Sequence, residues 1–290
     1  MAGSTGGSGI RSLSVCICTR NRPSELALTL ASLSRSTYPI AQVVVSDDGH
    51  DAAAQEVCRA AEVDVDYVLG PQLGLGANRN CALAAVRSDL VLFLDDDCRL
   101  LPDFLGLAVG RMRSAEERYG DQQVIVTGRE RNQGNLIRAA DQTFLGFQSR
   151  HYANDERLRS IVINASVFPA RVFRRVAFDP QLVYGYEEVD LASRAAASGW
   201  VIVQCDDAVN DHHPSPLGRD DHDRHVEASR LYVTLRRYAR TDRALLRAAA
   251  FAVTAPAHVL AANVKRLGVG GIRPTADTLL MAARMLYRSR

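Results

Sequence analysis

The sequence predicts an α/β fold, a mixed, mostly parallel central sheet flanked by helices, with a C-terminal helical extension. Two observations carry this. Short apolar runs rich in β-branched residues alternate with segments of helical periodicity, giving β-α-β-α-β-α-β by residue 94. Three polar clusters, "CTRNRP", "SDDG" and "LDDDC", each follow the C-terminal end of a predicted strand. In such sheets ligands bind beyond those ends, so the clusters are expected to converge on one rim.

The elements follow in order. "LSVCICT" (13–19) is the first strand, and "SELALTLASLSRS" (24–36) a helix with Ser24 as its N-cap. "AQVVVSDDG" (41–49) is a strand, "DAAAQEVCRAAE" (51–62) a helix, and "VDYVLG" (65–70) a third strand. "LGLGANRNCALAAVRSD" (73–89) opens with glycines and continues as a helix into "LVLFL" (90–94). Beyond residue 100 come a helix, the strand "QQVIVTGRE", a polar irregular stretch over 131–160 suited to face substrate, and "SIVINASVFPARVFRRV". The helix "YEEVDLASRAAASGW" and the strand "VIVQCDD" precede a loop holding "HHP". Residues 225–290 read as arginine-rich helices, so the expected division is a flexible leader over 1–11, a catalytic domain over 12–224 and a basic helical extension over 225–290.

Composition narrows the function. The chain has 290 residues and a net charge of +2, from 35 basic and 33 acidic side chains, so no global field favours nucleic acid. Lys265 is the only lysine, which removes the lysine-dependent phosphate loop. Six cysteines without a CxxC pair suit reduced thiols in the cytoplasm. The apolar segment 248–264 is interrupted by Pro256, His258 and Asn263 and falls short of the ~20 residues of a membrane span.

The clusters suggest chemistry. Asp95 and Asp97, two apart on an extended segment, would point to one side and share a cation. Paired oxygen ligands suit Mg2+ or Mn2+, and His212 would shift the choice toward Mn2+; His213 beside it is the weaker candidate. Glu187 and Glu188 open a helix, where the dipole favours them; their proximity would also raise one pKa and poise it as a general base. The glycines of "GLGANRN" would bring backbone N–H groups to an anion, with Arg79 one turn into the helix.

Taken together, "CTRNRP", "VVVSDDG", "GLGANRNCALAAVRSDLVLFLDDDC", "NASVFPARVFRRVAFDP", "GYEEVDLASRAAASGW" and "HHP" resemble, in that order, a family 2 glycosyltransferase with the GT-A nucleotide-diphospho-sugar transferase fold. The resemblance covers roughly 12–215. It implies that Thr19 and Arg20 line a nucleotide pocket, that Asp48, with Asp47 beside it, contacts the base, and that Arg79 sits near the nucleotide or its diphosphate. It also implies that Asp95 and Asp96 serve the ribose and metal waters, that Asp97 binds the cation, and that His212 completes the metal site. Where the family usually carries Glu-Asp, this chain has Glu187-Glu188, and Glu188 matches the position of the base. The implied reaction is metal-dependent, inverting transfer from a UDP-, dTDP- or GDP-linked sugar to a glycan, lipid-linked or small-molecule hydroxyl.

Other readings fit less well. A phosphohydrolase of the haloacid dehalogenase kind places its Asp motif on the first strand and needs a later lysine. A nucleotidyltransferase wants glycines in its N-terminal loop, which "CTRNRP" lacks. A non-catalytic nucleotide- or carbohydrate-binding protein of this fold would tolerate loss of Glu188. For residues 225–290 the two expectations are a packed helical cap with a solvated basic face, or a peripheral contact with anionic lipid at the inner face of the membrane.

Overall fold

The computed structural model describes residues 10–119, 123–153, 156–214 and 219–289, without the side chains of 219–223; residues 1–9 of the expected leader lie outside these. The predicted alternation is present. Strands β1 (Leu13–Thr19), β2 (Gln42–Asp47), β3 (Val65–Leu69) and β4 (Leu90–Asp95) alternate with helices α1 (Pro23–Leu33), α2 (Ala53–Ala60) and α3 (Leu75–Ala84). These four strands pair in parallel in the order β3-β2-β1-β4.

The rest of the sheet is mixed. After β5 (Cys98–Arg99) and α4 (Phe104–Tyr119) come β6 (Val124–Asn132), β7 (Asn135–Ile137), β8 (Asp141–Gln142), β9 (Gln148–Arg150) and β10 (Ser166–Pro169). Helix α5 (Glu187–Ala197) leads to β11 (Val201–His212). β10 lies antiparallel between β4 and β6, β11 runs parallel to β6, and β5 closes the sheet antiparallel to β11.

Both faces are covered, and the period of two sorts the side chains. Val15, Ile17, Val45, Leu92 and Leu94 pack toward α1, α2 and α4, while Cys16, Val44, Val91 and Phe93 pack toward α3 and α5. That two-sided burial explains why the strands read as near-continuous apolar runs.

Several expectations needed correction. Ser24 is not the cap of α1; Arg22 is, without a side-chain cap bond, and Pro23 takes the first turn, where its missing N–H costs nothing. The stretch 131–160 is not irregular throughout, since β7 adds to β6 and β8 pairs with β9. Polar contacts hold that small hairpin: Asp141 to Arg150 at 2.6 Å and to Arg237 at 2.7 Å, and Gln142 to Thr234 at 2.8 Å. No hydrophobic periodicity could have announced it. The strand expected over "VIVQCDD" continues to His212, past a register shift between Gln204 and Val209. His212 therefore stands on a strand, opposite Cys98, rather than in a loop.

The glycines before α3 also serve differently from expectation. The N–H groups of Leu75 and Gly76 donate to the carbonyls of Val183 and Leu182, and that of Gly74 to Asp48. They are spent on groups of the protein itself, the Gly74 amide on the Asp48 carboxylate. A Cβ on Gly76 would lie 2.5 Å from the Asp179 carbonyl oxygen and 3.0 Å from that of Leu182. Both neighbours are backbone and cannot swing away. Gly76→Ala is therefore expected to destabilise by about 1–3 kcal/mol, the usual cost of overpacking. A lower denaturant midpoint at unchanged m value would report it; an unchanged midpoint would refute it.

Helices α6 (Arg219–Arg236), α7 (Leu245–Leu267) and α8 (Ile272–Arg288) complete the chain. Arginines of this region are not all solvated. Arg236 pairs with Asp179, Arg237 with Asp141 at 2.7 Å, and Arg230 binds Glu227 and covers the Phe147 ring at 4.3 Å. Tyr232, Val233 and Met285 join Leu182, Tyr186 and Val189 in one apolar cluster, so α6 and α8 buttress the start of α5.

Candidate active site

The C-terminal ends of β1, β2 and β4 meet, as expected, at one rim. β4 stops at Asp95, and the chain turns through Asp96 and Asp97 into β5. This turn undoes the extended-chain argument for Asp95 and Asp97, whose carboxylates have separate partners. Asp95 accepts from Arg79 at 2.9 Å and from Asn164 at 3.1 Å. Asp97 accepts from Arg22 at 2.8 Å and faces His212. Asp96, fully buried, accepts from the Thr19 hydroxyl at 2.7 Å and pairs with Arg22. Burial pushes the Asp96 carboxyl up to about 7 against the pull of Arg22.

Arg79 is almost wholly buried and uses both terminal nitrogens, one on Asp95 and one on Glu187 at 2.7 Å. Although burial opposes the charge, these two carboxylates hold it ionised. Its ring neighbour is Phe178, 5.6 Å away. Glu187 is thus tied down, with its second oxygen buried and unpartnered among the described residues. Glu188 is half-buried and receives one long bond from Gln148 at 3.4 Å. Burial first, and the neighbouring Glu187 second, raise its carboxyl to about 8. A carboxylate poised near neutrality can take a proton from a hydroxyl.

On the other flank, His212 Nδ1 lies 2.6 Å from Glu130, and Nε2 lies 3.2 Å from Asp97 Oδ1. Burial disfavours a charged imidazole, but Asp97 and Glu130 together hold it protonated up to about 10. Burial would also raise Asp97, yet His212 and Arg22 keep its carboxyl below the ordinary range. Asp97 Oδ1 is buried, and its partner is the imidazole 3.2 Å away. A carboxylate and an imidazole that meet in this way, with the other ring nitrogen fixed by a second carboxylate, fit a divalent cation that takes the place of the imidazole proton. The Cys98 thiol is within 4.8 Å of the same ligand atoms. Burial keeps it protonated and it packs in the aliphatic core, so it adds no ligand for a hard ion.

Asp47 and Asp48 are buried at the end of β2. Asp47 accepts from Tyr67 at 2.8 Å and from the Gly49 amide at 2.7 Å. Asp48 accepts from the amides of Gln72 and Gly74 and so fixes the loop entering α3. Arg20 is exposed, and His213 donates its amide to the Asp97 carbonyl.

Sequence reasoning missed three residues that join the parts. Arg22 bridges Asp96 and Asp97; Asn164 links Asp95 to Glu130, at 3.1 and 3.2 Å; and Glu130 orients His212. One polar chain results, Glu187–Arg79–Asp95–Asn164–Glu130–His212–Asp97–Arg22–Asp96–Thr19. Arg22 and Asn164 lie in motif-bearing segments, "CTRNRP" and "NASVFP", and Glu130 in the strand "QQVIVTGRE", but nothing in the spacing pairs them.

Comparison with known proteins bears on the family and the fold. The sequence model for glycosyl transferase family 2 matches residues 14–180, more than half of the chain. The succinoglycan biosynthesis protein ExoM of Rhizobium meliloti (strain 1021) is 32% identical over 100 residues, 32% of this chain and 32% of ExoM. The hyaluronan synthase of Pasteurella multocida is 35% identical over 91 residues, 29% of this chain and 9% of the synthase. The matched part thus spans a third or less of these relatives. Among solved structures, GalNAc-T7 with UDP, GalNAc and Mn2+ aligns at a TM-score of 0.65 and 14% identity, over 81% of this chain and 50% of that one. S. aureus TarS 1–349 with UDP aligns at 0.54 and 18% identity, over 83% and 70%. At such identities the structures establish the GT-A fold alone. With the family match spanning β1 through β10 and the site at the expected rim, this chain belongs to glycosyl transferase family 2.

Proposed function

We propose that this enzyme transfers a sugar from a nucleoside-diphosphate donor to an acceptor hydroxyl with inversion at the anomeric carbon, using Mn2+ or Mg2+. The continuous polar chain from Glu187 to Thr19 carries the reading, because it ties Glu187, the neighbour of Glu188, and the Asp97–His212 set into one frame.

Asp97 and His212 would hold the cation, with Glu130 orienting the imidazole. When bound, the cation would neutralise the charge that develops on the leaving diphosphate. Thr19, Asp47, Asp48, Asp95 and Asp96 form the nucleotide side, and the exposed Arg20 stands at its mouth. An aspartate at the base pocket suits the N–H of a uracil or thymine imide, and the UDP carried by both solved neighbours favours UDP or dTDP over GDP. Arg79, spent on Asp95 and Glu187, positions these two carboxylates.

Glu188 is the base. It accepts the proton of the acceptor hydroxyl as that oxygen attacks the anomeric carbon from the face opposite the diphosphate. The bond from that carbon to the diphosphate oxygen breaks, and the nucleoside diphosphate leaves. Glu187, held by Arg79, is the poorer base. The acceptor is a glycan, lipid-linked or small-molecule hydroxyl. All six cysteines are free, which suits the cytoplasm.

The test is a panel of nucleotide-sugars with Mn2+ or Mg2+, read by donor hydrolysis and thermal shift. A UDP- or dTDP-sugar is expected to stabilise by about 2.7 kcal/mol at a hundred times its Kd and to be hydrolysed slowly. If no nucleotide-sugar is turned over or raises the melting temperature, the proposal fails.

A further inference from the structure

We propose that the outer face of α7 and α8 is a membrane-docking surface that lies in the interfacial plane of an anionic bilayer. On α7, Leu246, Val253 and Leu260 recur at seven-residue intervals, and Val264 and Leu267 continue the row. At 3.6 residues per turn these fall on one face. Leu246 is 90% and Val253 73% exposed, and Leu260, Val264 and Leu267 are also open to solvent. The opposite face, Ala248, Phe251, Ala255 and Val259, is buried against α6 and the Tyr238 ring. α8 repeats the division: Ile272 and Leu280 are exposed, while Thr275, Thr278, Ala282 and Met285 are buried. α7 therefore has two apolar faces, of which the protein covers one, and α8 leaves Ile272 and Leu280 open.

Charge identifies the occupant. Between residues 245 and 288 the exposed basic side chains are Lys265, Arg266, Arg273, Arg284 and Arg288, with Arg247 turned onto the Tyr238 ring, against the single acid Asp277. Apolar rows flanked by cations complement acyl chains beneath anionic headgroups. A second copy of the chain would bring the same cations against one another across a two-fold axis.

The surface lies on the membrane and does not cross it. The stretch Leu245–Arg288 passes the length and composition test for a span. Crossing, however, would strip Phe251 from Tyr238 and Phe144, whose rings stand 5.7 and 6.2 Å away. Lying flat keeps that core and buries only the outer row. Docking stands independently of the transferase reading; its consequence, an acceptor presented on a membrane lipid, rests on that reading.

The experiment sediments the full chain with vesicles of phosphatidylcholine alone or mixed with phosphatidylglycerol, with donor hydrolysis measured in parallel without vesicles. Binding to the anionic vesicles, weakened by salt, is expected. The triple variant Leu246→Glu, Val253→Glu, Leu260→Glu is expected to bind at least tenfold more weakly, because burial of one aliphatic side chain is worth about a factor of ten. It should keep donor hydrolysis and melting temperature. Should that variant fold poorly, Lys265→Gln, Arg273→Gln, Arg284→Gln is expected to lose the preference for phosphatidylglycerol. An enzyme that hydrolyses donor but binds no vesicle overturns the proposal and leaves the transferase reading intact. So does a triple variant that binds as tightly as the parent, or a parent dimer that the variant dissolves while neither sediments with lipid.

Discussion

Replacing Glu188 with Gln is expected to lower sugar transfer by roughly 10²–10⁴-fold, the usual worth of a positioned general base, while donor binding stays within a factor of a few. The pH profile separates this from a structural loss. Burial and Glu187 raise the Glu188 carboxyl to about 8. A base works when deprotonated, so kcat/KM should fall as pH drops through that value, well above the 4.5 of an ordinary glutamate. The limb should vanish in Glu188→Gln. A residual limb near 7 would belong to Asp96, which burial lifts to about that value. Glu187→Gln should behave differently. It removes one of the two carboxylates that neutralise a buried guanidinium, so it should lower the melting temperature as well as the rate. If Glu188→Gln keeps both its rate and its acid limb, Glu188 is not the base.

The parts of this fold that the sequence made legible are those written in periodicity. β1 to β4 and α1 to α3 appear within a few residues of expectation, because two-sided burial leaves runs such as "LVLFL" no other reading. The rim was legible for the same reason, since carboxylates follow strands at Asp47, Asp48 and Asp95. The β8–β9 hairpin was not, because Asp141, Gln142 and Arg150 hold it through polar contacts, some from residues almost a hundred positions away. His212 was legible as a candidate but not as a strand residue. The register shift that carries β11 past Gln204 leaves an interruption where the strand continues. Long-range pairing hid Arg22, Asn164 and Glu130 altogether. Each looks locally like an ordinary polar residue beside a strand or helix end, and only the sheet order β1-β4-β10-β6-β11 brings them together.

That sheet order makes the metal side of the site the sharper test. Asp97→Asn keeps the size of the side chain and its contact with Arg22, which also retains Asp96 as its ion-pair partner. It removes the charge that faces His212 across 3.2 Å. If Asp97 and His212 hold a cation against the leaving diphosphate, several kcal/mol of transition-state stabilisation go with it, so transfer should fall by roughly a hundredfold or more. Glu130→Gln should be milder in kind. It leaves both candidate ligands in place but loosens the imidazole, so metal affinity should drop about 10–100-fold while the rate at saturating Mn2+ largely recovers. Titrating Mn2+ into the three proteins and following donor hydrolysis orders them: the parent saturates first, Glu130→Gln later, and Asp97→Asn stays low throughout. An Asp97→Asn protein with the metal dependence of the parent would move the cation elsewhere on the rim. A Glu130→Gln protein that excess Mn2+ cannot rescue would make Glu130 a participant in the chemistry instead of the group that orients His212.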